Sequence, residues 1–174
     1  MKKLSTNQKY LLIIGICILG FIVSICYFKI QKDSFVDREL ENLYKLPTTY
    51  TLEDAVKDNI VDVTEVHNGQ NEEINKFLSK VDKKSWAVLK TVQEIDNDLL
   101  ITLYNFDNKI NQIRSFKYYV KKQGGESPDK RFESYYTTNE EGISTVYLLN
   151  IPNTNFPNWE SQILEDDVLY SYKE

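Results

Sequence analysis

The side chains able to do acid–base or nucleophilic chemistry are few in this sequence, and their spacing does not favour catalysis. His67 is the single histidine. A serine or cysteine nucleophile needs such a base beside it. Both cysteines, Cys17 and Cys26, lie in an uncharged apolar run, and no G-x-S-x-G elbow surrounds any serine. Next to Asn68-Gly69, His67 reads as a turn residue. Zinc takes three or four His or Cys ligands, so neither a metal nor another cofactor is expected. The carboxylates come in near-neighbour pairs: Asp58 and Asp62, Asp96 and Asp98, Glu140 and Glu141, Asp166 and Asp167. A glycosidase sets two carboxylates about 5–9 Å apart across a cleft. These pairs fall near turns or ends, where solvated acids are the better account. Asp96-Asn97-Asp98 opens like a calcium loop but lacks the glycine and distal glutamate of that loop. The expectation is a protein that is not an enzyme.

Aromatic residues are the more suggestive set. Of twelve tyrosines, all but Tyr10 and Tyr27 lie beyond residue 28. Tyr118-Tyr119 and Tyr135-Tyr136 fall on strands expected to be neighbours, and adjacent strand residues point to opposite faces. Outward rings, Tyr119 and Tyr135, would then form a flat platform for a peptide or a sugar. Ordinary cross-strand pairing also enriches tyrosine and is the plainer account. Phe156 and Trp159 sit in the rigid, turn-rich segment IPNTNFPNW, residues 151–159, which reads either as a hydrophobic plug or as a contact loop. The candidate binding residues are therefore Tyr119, Tyr135, Phe156 and Trp159.

The elements that must position these groups begin with the charge distribution. The chain of 174 residues has net charge −5. Residues 1–28 carry Lys2, Lys3 and Lys9 and no acid, which leaves 18 basic against 26 acidic side chains, net −8, in the remainder. Such a domain should repel nucleic acid, whose binding depends on basic side chains releasing phosphate counterions. Aromatics make up 13% of the chain, enough to argue against disorder.

Tyr10 to Phe28 reads YLLIIGICILGFIVSICYF, with no charge. As a helix it would cover about 28 Å, near the thickness of a hydrocarbon core, so a transmembrane helix in contact with membrane lipid is expected over 10–28. The lysines before it favour an amino terminus inside and a carboxy-terminal domain outside the cell. The apolar run exceeds that of a cleaved signal peptide. Both cysteines lie within it, so the rest of the chain has no disulfide. The expected organisation is a cytoplasmic 1–9, the span 10–28, a stalk 29–47 and an extracytoplasmic α+β domain 48–174.

In that domain Thr51-Leu52-Glu53-Asp54 fits a capping box. Asn71-Glu72-Glu73 opens a second helix whose Ile74, Phe77, Leu78 and Val81 share one face. From Trp86 the pattern changes to strands at Trp86–Ile95, Leu99–Phe106, Ile110–Val120, Arg131–Thr137 and Ile143–Ile151, with Asp/Asn and Glu-Gly hairpin turns between them. Ile143, Thr145, Tyr147, Leu149 and Ile151 are expected to face the core. A short helix near Trp159–Leu164 and a last strand at Val168–Tyr172 would close the chain. The fold expected is α+β: two short helices packed on an antiparallel meander of about five strands.

The run YTLEDAVKDNIVDVTEVHNGQNEEINKFLSKV and the strand pairs beyond it resemble a bacterial domain-of-unknown-function family of small exported proteins and lipoproteins. Tyr50, the Ala55-centred helix, Val61–Val63 and the Phe77-centred helix carry the likeness, over about residues 48–151. The chain departs from it in lacking a lipobox, since the bulky Ile25 precedes Cys26. The resemblance implies export and no activity. The function expected is a membrane-anchored binding module for a protein, peptide or envelope component. The alternatives are an accessory subunit of a membrane complex, or a small carboxylate-dependent envelope hydrolase.

Overall fold

The computed structural model describes residues 6–125, 130–149 and 168–173, with side chains at 14–24 and from 35 onward within those ranges. The chain divides into two compact units, Met1–Asn42 and Leu43–Glu174. The first is helical. α1 runs unbroken from Thr6 to Tyr44, so the stretch expected to be a separate stalk continues the same helix.

No helix among the described residues is long and apolar enough to cross a membrane. The expected transmembrane helix over 10–28 is corrected on that finding.

The second unit is α+β, as its sequence pattern indicates. α2, Leu52–Lys57, starts at the expected capping box: Thr51 Oγ1 accepts from the Asp54 N–H at 3.2 Å, and Asp54 Oδ2 accepts from the Thr51 N–H at 3.0 Å. α3, Glu72–Asp82, is capped by Asn71, whose Oδ1 accepts from the N–H groups of Glu73 and Ile74. Its apolar stripe Ile74, Phe77 and Leu78 is buried.

Instead of one meander of about five strands, the described residues form ten strands in two sheets. The first sheet holds β1 (Val61–Asp62), β3 (Ala87–Ile95), β4 (Asp98–Asp107), β5 (Gln112–Tyr119) and β6 (Gly124–Gly125) in that order, and β7 (Lys130–Phe132) also pairs with β5. In the second the order is β2 (His67–Asn68), β10 (Val168–Lys173), β9 (Ile143–Leu149), β8 (Ser134–Glu140). Two pairs, β1 with β3 and β2 with β10, are parallel. The strand expected at 131–137 is broken at Glu133, where the chain passes from one sheet to the other and the Glu133 N–H donates to the Leu149 carbonyl.

The hairpins follow their turn residues. Asp96 and Asn97 (φ 51° and 62°) join β3 to β4, and Glu141-Gly142 (φ 53° and 79°) join β8 to β9. Both are two-residue turns with two left-handed positions, the type whose twist suits adjoining strands.

β4 is buried along nearly its whole length, on both faces. On one face Ala87 and Leu89 of β3, Tyr104 and Phe106 of β4, Ile113 of β5 and Phe132 of β7 join α3 and the inner side of the second sheet in one core. The opposite face buries Val92, Ile101, Leu103, Tyr118 and Val120, and the Tyr44 ring meets Tyr118 edge-on at 5.4 Å.

The facing of β9 is the reverse of the expectation. Ser144, Val146 and Leu148 are buried at 1%, 3% and 1% exposure, while Ile143, Thr145 and Tyr147 are half-buried; of the expected set only Leu149 is buried among the described residues, and Ile151 lies outside them. Pairing decides it. Val146 and Ser144 lie opposite Tyr170 and Tyr172 of β10, whose large rings fill the core, and Tyr147 instead stacks on Tyr136 across the outer surface at 5.2 Å. A one-residue change of facing moves every side chain of a strand to the other side.

Candidate functional site

Among the described residues, the core-side face of the first sheet is covered along only part of its length. Cross-strand register places Gln93 opposite Leu100, Thr91 opposite Thr102, Thr102 opposite Lys117 and Leu100 opposite Tyr119. Beyond the end of the core this same face opens into a cleft of about 520 Å³, floored by Gln93, Ile95, Leu100, Thr102, Lys117 and Tyr119. One wall is the strap Val63–Val66 and the other is Val168–Ser171.

The strap is the link between the sheets' edges, running from β1 to β2. Two hydrogen bonds pin it to β3: the Val63 N–H donates to the Val92 carbonyl at 2.9 Å, and the Glu94 N–H donates to the Thr64 side-chain Oγ1 at 3.1 Å. Asp62 Oδ1 accepts from the Thr64 N–H at 2.9 Å and sets the turn. The other wall is held by Tyr170, whose hydroxyl donates to the Gly69 carbonyl at 2.8 Å and accepts from the Asn71 N–H at 2.7 Å. Tyr170 also stacks on Tyr172 at 5.2 Å.

Chemically the cleft is mixed. Ile95, Leu100, Val63, Val66 and Leu169 supply apolar surface, and Thr64, Gln93, Thr102 and Tyr119 supply hydroxyl and amide groups. One acid, Glu65, and one base, Lys117, line it. Lys117 sits beside a close backbone approach: a Cβ on Gly125 would lie 2.7 Å from the Lys117 carbonyl oxygen, so only glycine lets β6 dock there. A volume of this size suits a ligand of a few hundred daltons.

The four sequence candidates have separate fates. Tyr119 is in the cleft floor, with the Lys122 ammonium 4.4 Å above its ring centroid. Tyr135 is not beside it, since it belongs to β8 in the other sheet, so the tyrosine platform of neighbouring strands does not form. Its ring packs on the core and its hydroxyl donates to Asp82 Oδ1 and Oδ2, both at 2.9 Å, tying β8 to the end of α3. Phe156 and Trp159 lie outside the described residues, as does the helix expected near 159–164.

Burial and the Asp82 carboxylate together push the Tyr135 pKa up to about 12. The protonated phenol is favoured in the fold, so its contribution is present below pH ~10 and is lost as pH climbs toward about 12. Burial raises Tyr50, Tyr118 and Tyr170 as well, so alkaline titration followed by tyrosinate absorbance should find several late-ionising tyrosines, one of which Tyr135→Phe removes. The variant should also lose less stability than the wild type above pH ~10. Ionisation of all tyrosines near their ordinary value would show that the Asp82 tie is not made.

His67, expected in a turn, is part of β2, where its ring lies 5.8 Å from that of Tyr170. Its buried Nε2 has no hydrogen-bond partner among the described residues, and none of those side chains forms a relay with it. Among the carboxylates, Asp58 accepts from the Tyr50 hydroxyl at 2.8 Å. Asp98, expected in solvent, is 5% exposed and accepts three backbone N–H bonds, from Leu99, Lys121 and Lys122. No cluster of three or more His, Cys, Asp or Glu side chains able to hold a metal occurs among the described residues.

Sequence reasoning missed most of the cleft. Gln93, Thr102 and Lys117 read only as ordinary alternating strand positions, and the strap Val63–Val66 carries no motif. The one available signal was the polar set Gln93, Thr102 and Lys117 on the side of the strands that otherwise holds Leu89, Tyr104 and Phe106. No family model, no curated protein and no solved structure matches the chain.

Proposed function

We propose that this chain is a binding module whose ligand enters the cleft between the strap Val63–Val66 and the strand Val168–Ser171. The observation that carries this reading is that a single sheet face changes character along its length. It is closed core at Leu89, Tyr104 and Phe106, and it becomes a 520 Å³ cleft with polar side chains at Gln93, Thr102, Lys117 and Tyr119. Polar groups that converge beside apolar ones, here Ile95, Leu100 and Val66, are a feature of ligand sites. Hydrolysis by paired carboxylates finds less support, because Glu65 is the one acid among the described lining residues and that chemistry uses two. Binding alone needs no such pair.

The test uses isobutanol and phenol as probes, followed by amide chemical shifts of the full chain. Both should move the resonances of Val66, Tyr119 and Leu169 in a saturable way. Val66 is 42% exposed, so Val66→Trp can block the cleft without disturbing the core. It should weaken both probes by about tenfold or more, a loss of at least ~1.4 kcal/mol. Unmoved resonances at Tyr119 and Leu169, or equal binding by the variant, would overturn the reading.

A further inference from the structure

Among the described residues, one wall of the cleft is a sheet edge with no further strand on it. β10 pairs with β9 along its length, from Val168 opposite Tyr147 to Lys173 opposite Ile143. On its other side the ladder with β2 covers only Tyr172 and Lys173, opposite His67 and Asn68. Among the described residues, Val168–Ser171 therefore have a ladder partner on one side alone, and these four residues line the cleft. The direction of their backbone groups follows from alternation along a strand. The Lys173 carbonyl accepts from the Gly69 N–H at 2.9 Å, on the β2 side. Two residues earlier, Ser171 turns to that same side, and its N–H is the first donor past the end of the ladder. A register shift interrupts the ladder with β9 between Val168 and Tyr170, the kind of irregularity that bends a strand locally.

We infer that the cleft receives an extended peptide segment, which adds as a short strand to β10 along Val168–Ser171 in the place where β2 stops. This inference rests on the cleft being the binding site. An unpaired edge gives backbone hydrogen bonds to any extended chain, and the pockets beside it give the sequence preference. Here the floor offers Ile95 and Leu100 to an apolar side chain and Lys117 to an acidic one. Side chains two positions apart on a strand share a face, so the segment reads apolar-x-acidic toward the sheet. Glu65, on the strap opposite, adds a preference for a basic residue on the other flank. Both charge signs in one cleft suit a peptide better than a uniformly apolar or anionic ligand.

The probe is a pool of acetylated, amidated hexapeptides randomised over all residues except cysteine, incubated with the full chain and recovered by affinity selection with mass spectrometry. Retained peptides should be enriched in the apolar-x-acidic pattern. Lys117→Glu, at a half-buried position, should switch the enrichment from acidic to basic residues. A retained peptide methylated at successive backbone nitrogens should lose about tenfold or more in affinity at alternate positions only, because one edge of a strand pairs and the other does not. Equal tolerance of methylation at every position, or an enrichment indifferent to Lys117→Glu, would overturn strand addition. If isobutanol and phenol still bind in that case, the cleft remains a ligand site and only the peptide inference fails. If neither the small probes nor the peptides reach the cleft, both fail.

Discussion

Asp98→Ala is expected to cost about 3–4 kcal/mol of folding stability, read as a fall in urea midpoint with little change in slope. Asp98 is the first residue of β4, and its carboxylate holds three backbone donors: Leu99 and Lys121 at 2.8 Å and Lys122 at 3.2 Å. Lys121 also donates its ammonium to the Asn97 carbonyl, so the hairpin turn and the end of β5 are fastened at one point. A buried hydrogen bond to a charged group is worth about 1.5–3 kcal/mol, and removing the acceptor strands its donors. Water can reach some of them, so three full bonds are not forfeited. Asp98→Asn keeps one carbonyl oxygen and should cost about half as much. A loss under about 1 kcal/mol for alanine would mean that the three bonds are not made in solution.

The same carboxylate predicts an acid limb. Burial pushes its pKa up, but the three N–H bonds, with Lys122 nearby, outweigh burial and hold it below the ordinary 3.8. Since the folded value is the lower one, the stabilisation is present above pH ~4 and is lost as pH falls through the folded pKa. Wild type should therefore lose more stability than Asp98→Asn between pH ~4 and pH ~2. Equal acid limbs would show that Asp98 titrates as a solvated acid.

Phe106→Ala is expected to cost about 3–5 kcal/mol, the usual range for removing a buried phenylalanine ring and leaving a cavity. Phe106 is 2% exposed and belongs to the cluster in which Ile74 and Phe77 of α3 meet Ile113 of β5 and Val146 and Leu148 of β9. The helix, the first sheet and the second sheet thus share one apolar core there, and the surrounding side chains belong to elements that cannot all move inward together. Against a total stability of about 5–15 kcal/mol the variant would be marginal. Near-ultraviolet circular dichroism and backbone signal should fall together in a single transition. Two separated transitions, one per sheet, would show that the core does not couple them.

Much of the second unit is legible in the residues because local chemistry fixes it. Thr51 and Asn71 cap helices wherever they are followed by helical residues, since their oxygens satisfy N–H groups that no helix can satisfy internally. Asp96-Asn97 and Glu141-Gly142 turn the chain because they tolerate left-handed backbone angles. The stripe Ile74, Phe77 and Leu78 must find a partner surface. None of these decisions needs a distant residue.

The errors lie where distant residues decide. In β9 both faces were plausible from sequence, and the choice fell to Tyr170 and Tyr172, more than twenty positions further on, whose rings take the core opposite Val146 and Ser144. Tyr135 looked like a surface ring until Asp82, across the fold, engaged its hydroxyl. Asp98 looked solvated until the end of β5 brought the N–H groups of Lys121 and Lys122 to it. A span over 10–28 is expected from the length of that run, its lack of charge and the lysines before it, whereas no helix among the described residues is both long and apolar enough to cross a membrane.

What the sequence determined by itself is the α+β character of residues 43–174, the two capped helices, the hairpins and the acidic surface, all set by interactions within a few residues. Only the tertiary structure decided that the strands divide into two sheets, that Glu133 carries the chain between them, and that Gln93, Thr102, Lys117 and Tyr119 line a cleft beside Val168–Ser171. Strand pairing is a contest among edges far apart in the chain, and backbone hydrogen bonds favour any partner equally. Burial of particular rings breaks that tie, and it acts only once the chain has come together.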